Sequence, residues 1–237
     1  MTASPEGSGT ARGRNAARIV LFDALGTLVE LQPPGPRLRK ALHDLSGTEV
    51  DEETAAGAFA AEIGYYRANH LRGADEAGLD ALRDDCATVL REALGEPAVQ
   101  LATVRRAMLE AIEFRAFPDA LPALRALRAR GVRLFVASDW DCSLPHWLAR
   151  AGLAELIDGA VSSAVVGEAK PSPAVFRAAL ALAGATPAQA LHVGDSVDRD
   201  VEGARAAGLR AVLMAREGLA PEGVEEIRSL GQLASLI

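Results

Sequence analysis

Arg18-Ile19-Val20-Leu21-Phe22 runs straight into Asp23-Ala24-Leu25-Gly26-Thr27-Leu28, and the change of character at Asp23 decides the fold. A short apolar run with no polar alternation is the signature of a strand covered on both faces, which is how strands sit in a parallel sheet. Downstream of Phe117-Pro118-Asp119 the same kind of run recurs between helical stretches. The pattern predicts helix 119–130 closing at Gly131, strand 132–137 followed by polar Ser138-Asp139, and helix 143–151 closing at Gly152. It continues with strand 159–162, helix 172–183, strand 190–193, helix 199–207 closing at Gly208, and strand 210–214. Strands and helices alternating at this interval require crossover connections, hence a doubly wound parallel α/β sheet with helices on both faces.

From Pro33 to Arg115 the character differs: alanine, leucine, glutamate and arginine recur at helical spacing, interrupted by Gly47, Gly73, Gly78 and Gly95. This stretch reads as several packed helices. The expected organisation is a mobile polar tail over residues 1–15, an α/β core of 16–29 and 116–237, and a helical insertion over 30–115. A chain of 237 residues has room for one substantial core and a smaller lobe.

Composition narrows the function. With 49% apolar and 24% charged residues the chain matches ordinary globular domains. A net charge of −7 argues against a nucleic-acid partner, which needs a basic face. No apolar run reaches the roughly 18–20 residues of a membrane helix, and the first fifteen residues lack the apolar stretch of a signal peptide. Cys86 and Cys142 stand apart with no metal-ligand spacing, as suits a reducing cytoplasm. Of 25 basic residues only Lys40 and Lys170 are lysines, so a lysine here stands where a compact ammonium does what a planar guanidinium cannot.

Ligands of open α/β sheets bind beyond the carboxyl ends of the strands, where Asp23, Ser138, Asp139, Asp195 and Ser196 fall. Each alone has an ordinary explanation: Ser138, Asp141 and Ser196 are residues that cap helices, and an aspartate after a strand is a turn former. Together they bring carboxylates, hydroxyls and helix N-termini from three strand ends to one crevice.

Four segments then carry a specific likeness: Phe22-Asp23-Ala24-Leu25-Gly26-Thr27-Leu28, Val136-Ala137-Ser138-Asp139, Lys170-Pro171-Ser172-Pro173 and Val193-Gly194-Asp195-Ser196-Val197-Asp198-Arg199-Asp200. In order and placement they resemble the motifs of the haloacid dehalogenase-like hydrolases, and the insertion between the first two is similar to that family's α-helical cap domain. The resemblance implies a Rossmann-like core in which Asp23 is a carboxylate nucleophile forming a covalent intermediate. It implies that Lys170 neutralises charge at the reacting group, that Gly26, Thr27, Ser138 and Asp139 surround the substrate, and that Asp23, the Leu25 backbone, Asp195 and Asp200 hold Mg²⁺.

One position departs from the family's phosphatases, which carry a second aspartate two residues after the nucleophile to protonate the leaving group. Here it is Leu25, which has no proton to give. Three readings follow. The first is a magnesium-dependent phosphatase of a small phosphorylated metabolite, with Glu30, Glu62, Tyr65, Tyr66 or His70 of the insertion as substitute acid. The second is a metal-independent 2-haloacid dehalogenase, whose halide leaves without a proton. The third is a catalytically weak protein that keeps the fold for binding or regulation.

Overall fold

The computed structural model describes residues 18–218 and 220–237. The expected tail over residues 1–15 lies outside them. The apolar run becomes strand β1 (Ile19–Phe22), followed by a short β2 (Val29–Leu31) and four helices: α1 (Pro34–Ser46), α2 (Glu52–Asn69), α3 (Glu76–Leu94) and α4 (Leu101–Ala111). After β3 (Phe114–Ala116) come α5 (Ala120–Ala129), β4 (Arg133–Ser138), α6 (Leu144–Arg150), β5 (Gly159–Ser162), α7 (Ser163–Val166) and α8 (Pro173–Ala183). The chain ends through β6 (Ala190–Gly194), α9 (Gly203–Ala206), β7 (Arg210–Met214) and β8 (Glu226–Ile227).

Six strands form one sheet in the order β5-β4-β1-β6-β7-β8, every pairing parallel. Because side chains alternate along a strand, Val20 and Phe22 of β1 join Leu134, Val136, Leu191 and Val193 on one face, under α5 and α6. Ile19 and Leu21 join Phe135, Ala137, Ala211 and Leu213 on the other, under α8 and α9. Burial on both faces explains why these strands read as unbroken apolar runs.

The four helices of the insertion bury their own cluster, including Leu38, Leu42, Phe59, Leu82, Leu90 and Met108. Asp51 caps α2 by accepting from the Thr54 amide at 2.8 Å, and Asp75 caps α3 by accepting from the Gly78 amide at 2.8 Å. The insertion leaves and rejoins the sheet through an antiparallel ribbon in which Val29, Glu30 and Leu31 face Ala116, Arg115 and Phe114. The expected division at residues 29/30 and 115/116 falls inside this ribbon.

The predicted helix 199–207 is the main departure from expectation. Val197–Glu202 forms a wide helical turn, in which the Val201 amide reaches back five residues to the Ser196 carbonyl at 3.2 Å, and only Gly203–Ala206 is α-helical. Such widened turns concentrate at functional sites because they re-aim a side chain without breaking the helix. Here the turn swings Asp200 back toward the sheet.

Candidate active site

β1 lies at the centre of the sheet, with β4 on one side and β6 on the other. The chain winds outward from β1 in both directions, so the loops after β1, β4 and β6 diverge and open a crevice at the carboxyl ends of these strands. Asp23 follows β1, Ser138 ends β4, and Asp195 follows β6. The Asp23 amide donates to the Val193 carbonyl at 2.8 Å, which fixes the start of the loop against the neighbouring strand.

The side chains converge on Lys170. Its ammonium donates to Asp23 Oδ1 at 2.6 Å and to Asp200 Oδ1 at 2.6 Å, all three groups being buried. Ser138 Oγ donates to Asp23 Oδ1 at 2.9 Å. Asp139 acts one step back, its Oδ1 accepting from the Lys170 amide at 2.9 Å. Asp200 Oδ1 also meets His192 Nε2 at 2.9 Å, and its Oδ2 accepts from the Ser196 amide at 3.0 Å.

Burial sets the protonation of this cluster. It pushes the Asp23 carboxyl up to about 6 despite the opposing pull of Lys170. For Asp200 burial works the same way, but Lys170 and the hydrogen bond from His192 outweigh it and hold the carboxyl well below the usual range. Burial disfavours the Lys170 ammonium too, yet Asp23 and Asp200 together raise its pKa. Burial lowers that of His192. A neutral His192 facing an ionised Asp200 must carry its proton on Nε2, and its Nδ1 is buried without a partner.

Asp195 completes an acidic group. One carboxylate oxygen from each of Asp23, Asp195 and Asp200 lies within 4.8 Å of the others. Three carboxylates against the single ammonium of Lys170 leave two negative charges uncompensated when all are ionised. Asp195 is exposed overall and joins no ion pair among the described residues; partial loss of hydration at its carboxyl, and then the neighbouring Asp200 charge, raise its pKa. Hard oxygen donors with residual negative charge fit a divalent cation such as Mg²⁺. The approach is tight: a Cβ on Gly26 would run into Asp195 Oδ2, and one on Gly194 into the Asp200 carboxyl. Gly26 also has φ +87°, which favours glycine.

Above the crevice lies a cavity of about 560 Å³ shared by core and insertion, walled in part by Asp23, Leu25, Gly26, Ser138, Lys170 and Asp200. Thr27 is the one expected site residue not brought there: it is fully buried and its hydroxyl has no partner. The insertion is latched to the core by the Tyr66 hydroxyl donating to Asp141 Oδ2 at 2.9 Å, by the Cys142 amide donating to the Gly73 carbonyl at 2.8 Å, and by His70 Nε2 meeting Ser163 Oγ at 2.9 Å. Ser196 also keeps its expected capping role, accepting from the Arg199 amide, whereas Asp141 accepts from the Ser143 amide in the turn before α6, whose N-cap is Ser143 itself.

The five acid candidates separate cleanly. Tyr66 and His70 are held in those latches, the Tyr65 hydroxyl donates to Asp85 Oδ2 at 3.3 Å, and Glu30 is exposed. Glu62 is buried in the cavity wall, where burial pushes it up to about 7 against a hydrogen bond from the Cys86 thiol. A folded pKa above the ~4.3 of a free glutamate means that stability is full at low pH and falls as pH rises from about 4 through about 7. Glu62→Gln should therefore raise stability at pH 8 by on the order of 1–3 kcal/mol and change little at pH 4. Denaturant unfolding at both pH values checks this; an equal change at both would show that the carboxyl is not strained by burial.

Two residues that support the site were not foreseen. His192 lies inside a strand, and its only signal is a polar residue within a doubly buried run. Arg216, just past β7, donates through Nη2 to the Thr27 carbonyl at 2.6 Å and through Nε to the Gly26 carbonyl at 3.2 Å. Its guanidinium pairs with Asp119 at 3.1 Å and stacks 3.6 Å from the Phe117 ring, so it clamps the loop that follows Asp23.

A parallel sheet with this crevice and an inserted helical cap agrees with the family comparison: the haloacid dehalogenase-like hydrolases match residues 17–208, and the chain belongs to this family. Among its relatives, the phosphoglycolate phosphatase of Rhodospirillum rubrum is 34% identical over 230 residues, covering 92% of this chain and 86% of that protein. The haloacid dehalogenase-like hydrolase domain-containing protein 3 of Bos taurus is 44% identical over 92 residues, which cover 39% of this chain and only 37% of that relative's length. The 2-haloacid dehalogenase structure from Pseudomonas syringae pv. Tomato DC3000 superposes with a TM-score of 0.64 at 24% identity, covering 93% of this chain and 97% of that one, a likeness of fold alone. No helix among the described residues is long and apolar enough to cross a membrane.

Proposed function

We propose that the chain is a magnesium-dependent phosphatase acting on a small phosphorylated metabolite through an aspartyl-phosphate intermediate on Asp23. The observation that carries this reading is the buried Asp23–Lys170–Asp200 cluster with Asp195 beside it at the mouth of the crevice. Asp23 attacks phosphorus, while Lys170 and Ser138 offer hydrogen bonds to the phosphoryl oxygens and offset the charge two anions bring together. Asp139 positions Lys170 through its backbone. Gly26 lets the loop backbone approach the phosphoryl group. Asp23, the Leu25 carbonyl, Asp195 and Asp200 would hold Mg²⁺, which when bound neutralises charge on the phosphoryl oxygens. Residues 30–115 act as the cap that selects substrate over a core of 16–29 and 116–237. The free thiols Cys86 and Cys142 fit a cytoplasmic setting.

A metal-independent dehalogenase is the second reading, favoured by Leu25, since a halide departs without a proton. The exposed third carboxylate, Asp195, weighs against it, because halide displacement by Asp23 uses no cation. Parallel assays of phosphate and halide release, each with Mg²⁺ and with chelator, separate the two. Phosphate release that chelator abolishes is expected; halide release that survives chelation would replace the first reading with the second.

A further inference from the structure

Two independent features of the cavity describe the part of the substrate that Asp23 does not attack. The first is Leu25, which lines the cavity and stands two residues after Asp23, where the family's phosphatases carry their proton-donating aspartate. The second is the wall contributed by the insertion and its ribbon. Ile63, Leu109, Ile112 and Phe114 line it together with Trp147 of α6, with the buried Phe59, Leu82 and Met108 behind them. Two of the polar groups between them are taken, the Tyr66 hydroxyl by Asp141 and the His70 ring by Ser163, and the Glu62 carboxyl is buried. Of the lining arginines, Arg67 and Arg199 are exposed and Arg83 is half-buried. A polyhydroxylated body would lose its hydration against this wall with few partners in return, whereas a ring or alkyl body is buried favourably.

Resting on the phosphatase reading, we propose that the substrate is an aryl phosphate: a phosphate monoester of a phenolic hydroxyl carried on an apolar body. An Asp23 oxygen forms a bond to phosphorus as the bond from phosphorus to the ester oxygen breaks, and the electron pair leaves with that oxygen as a phenoxide. A phenoxide, unlike an alkoxide, is stable enough to depart unprotonated, so Leu25 is no handicap to this first step, the one that kcat/KM reports. Water then adds to phosphorus and breaks the bond to Asp23, which regains its carboxylate. The water's protons leave on the released phosphate, and the phenoxide collects its proton from solvent.

The test compares matched esters with Mg²⁺ present. Phenyl and cyclohexyl phosphate share size but not leaving-group acidity. Hexyl phosphate and glucose 6-phosphate share length but not polarity. Phenyl phosphate should exceed cyclohexyl phosphate in kcat/KM by about 10²- to 10⁴-fold, and Leu25→Asp should narrow that gap by restoring an acid. Hexyl should exceed glucose 6-phosphate at least about tenfold, with roughly fourfold gained per methylene added to the para position of phenyl phosphate until the wall is filled. Ile63→Thr should reduce that gain. Equal rates for phenyl and cyclohexyl esters would overturn the inference, and their joint loss in Glu62→Gln would name Glu62 as the proton donor instead. Preference for glucose 6-phosphate would overturn it while leaving the phosphatase reading intact. Phosphate release from none of the four esters, with halide release from a 2-haloacid, would remove the phosphatase reading itself.

Discussion

Asp23→Asn should abolish turnover, by on the order of 10⁴-fold or more, because an amide in place of the carboxylate leaves no nucleophile for phosphorus. The fold should survive the change. Asparagine keeps an oxygen in the place where Ser138 Oγ and the Lys170 ammonium now find Asp23 Oδ1, and Lys170 retains its second carboxylate, Asp200. In the metal-free protein the variant should even gain stability. Burial raises the Asp23 carboxyl to about 6 from the ~3.9 of a free aspartate, so its contribution is full at low pH and is lost as pH rises through about 6. Above that pH the wild type carries a cost that asparagine removes. Phosphate release measured beside thermal unfolding in chelator at pH 5 and pH 8 gives both answers. Residual turnover of more than about a hundredth would displace Asp23 from the nucleophile's role, and a loss of stability at pH 8 would contradict the account of its burial.

Lys170→Met should cost both activity and stability. The ammonium is the cation shared by two buried carboxylates, and methionine of similar reach leaves Asp23 and Asp200 facing each other uncompensated. Breaking a buried ion pair by removing one partner costs about 3–5 kcal/mol, on the order of 10 °C in Tm for a chain of this size. The loss should shrink as pH falls and Asp23 takes up a proton, and it should shrink again in the double variant Asp23→Asn/Lys170→Met, where only one buried charge is left over. That non-additivity is the signature to measure. Lys170→Arg should not restore turnover, since a planar guanidinium cannot place one point charge between two oxygens 2.6 Å away on either side. A fully additive double variant would mean that the two residues act on stability separately.

The sheet and most of the site were legible because their signals are periodic or terminal. β1, β4, β6 and β7 are apolar runs with glycine-closed helices between them, and their ends coincide with the expected ones to about a residue. The residues placed at those ends, Asp23, Ser138, Asp139 and Asp195, meet in one crevice. Lys170 stood out through its rarity among 23 arginines. What was hidden has no such signal. The ribbon strands β2 and β3 are three residues each, too short to show alternation, and β8 is two. The widened turn at Val197–Glu202 is a one-residue change in backbone winding that side chains do not announce. Arg216 is one arginine among many, although the rule that sites lie at strand ends points to it after β7 as much as to Asp195 after β6. Thr27 went the other way: its neighbour Gly26 reaches the cavity while Thr27 turns inward. Glu62 was named among five acid candidates, and its burial was readable too, since it shares the helical stripe of Ala55, Ala58 and Phe59 at intervals of three and four residues, the buried face of α2.

The two-stranded ribbon carries a consequence for how such a protein changes over time. The two crossings between helices and sheet are adjacent, with Val29 opposite Ala116 and the Gln32 amide bonded to the Glu113 carbonyl at 2.9 Å. A segment whose two ends are neighbours can be lengthened, shortened or exchanged wholesale with no strand of the main sheet changing place. The chemistry and the choice of what it acts on are therefore separately heritable: one module can be replaced as a unit while Asp23 and its partners stay where they are.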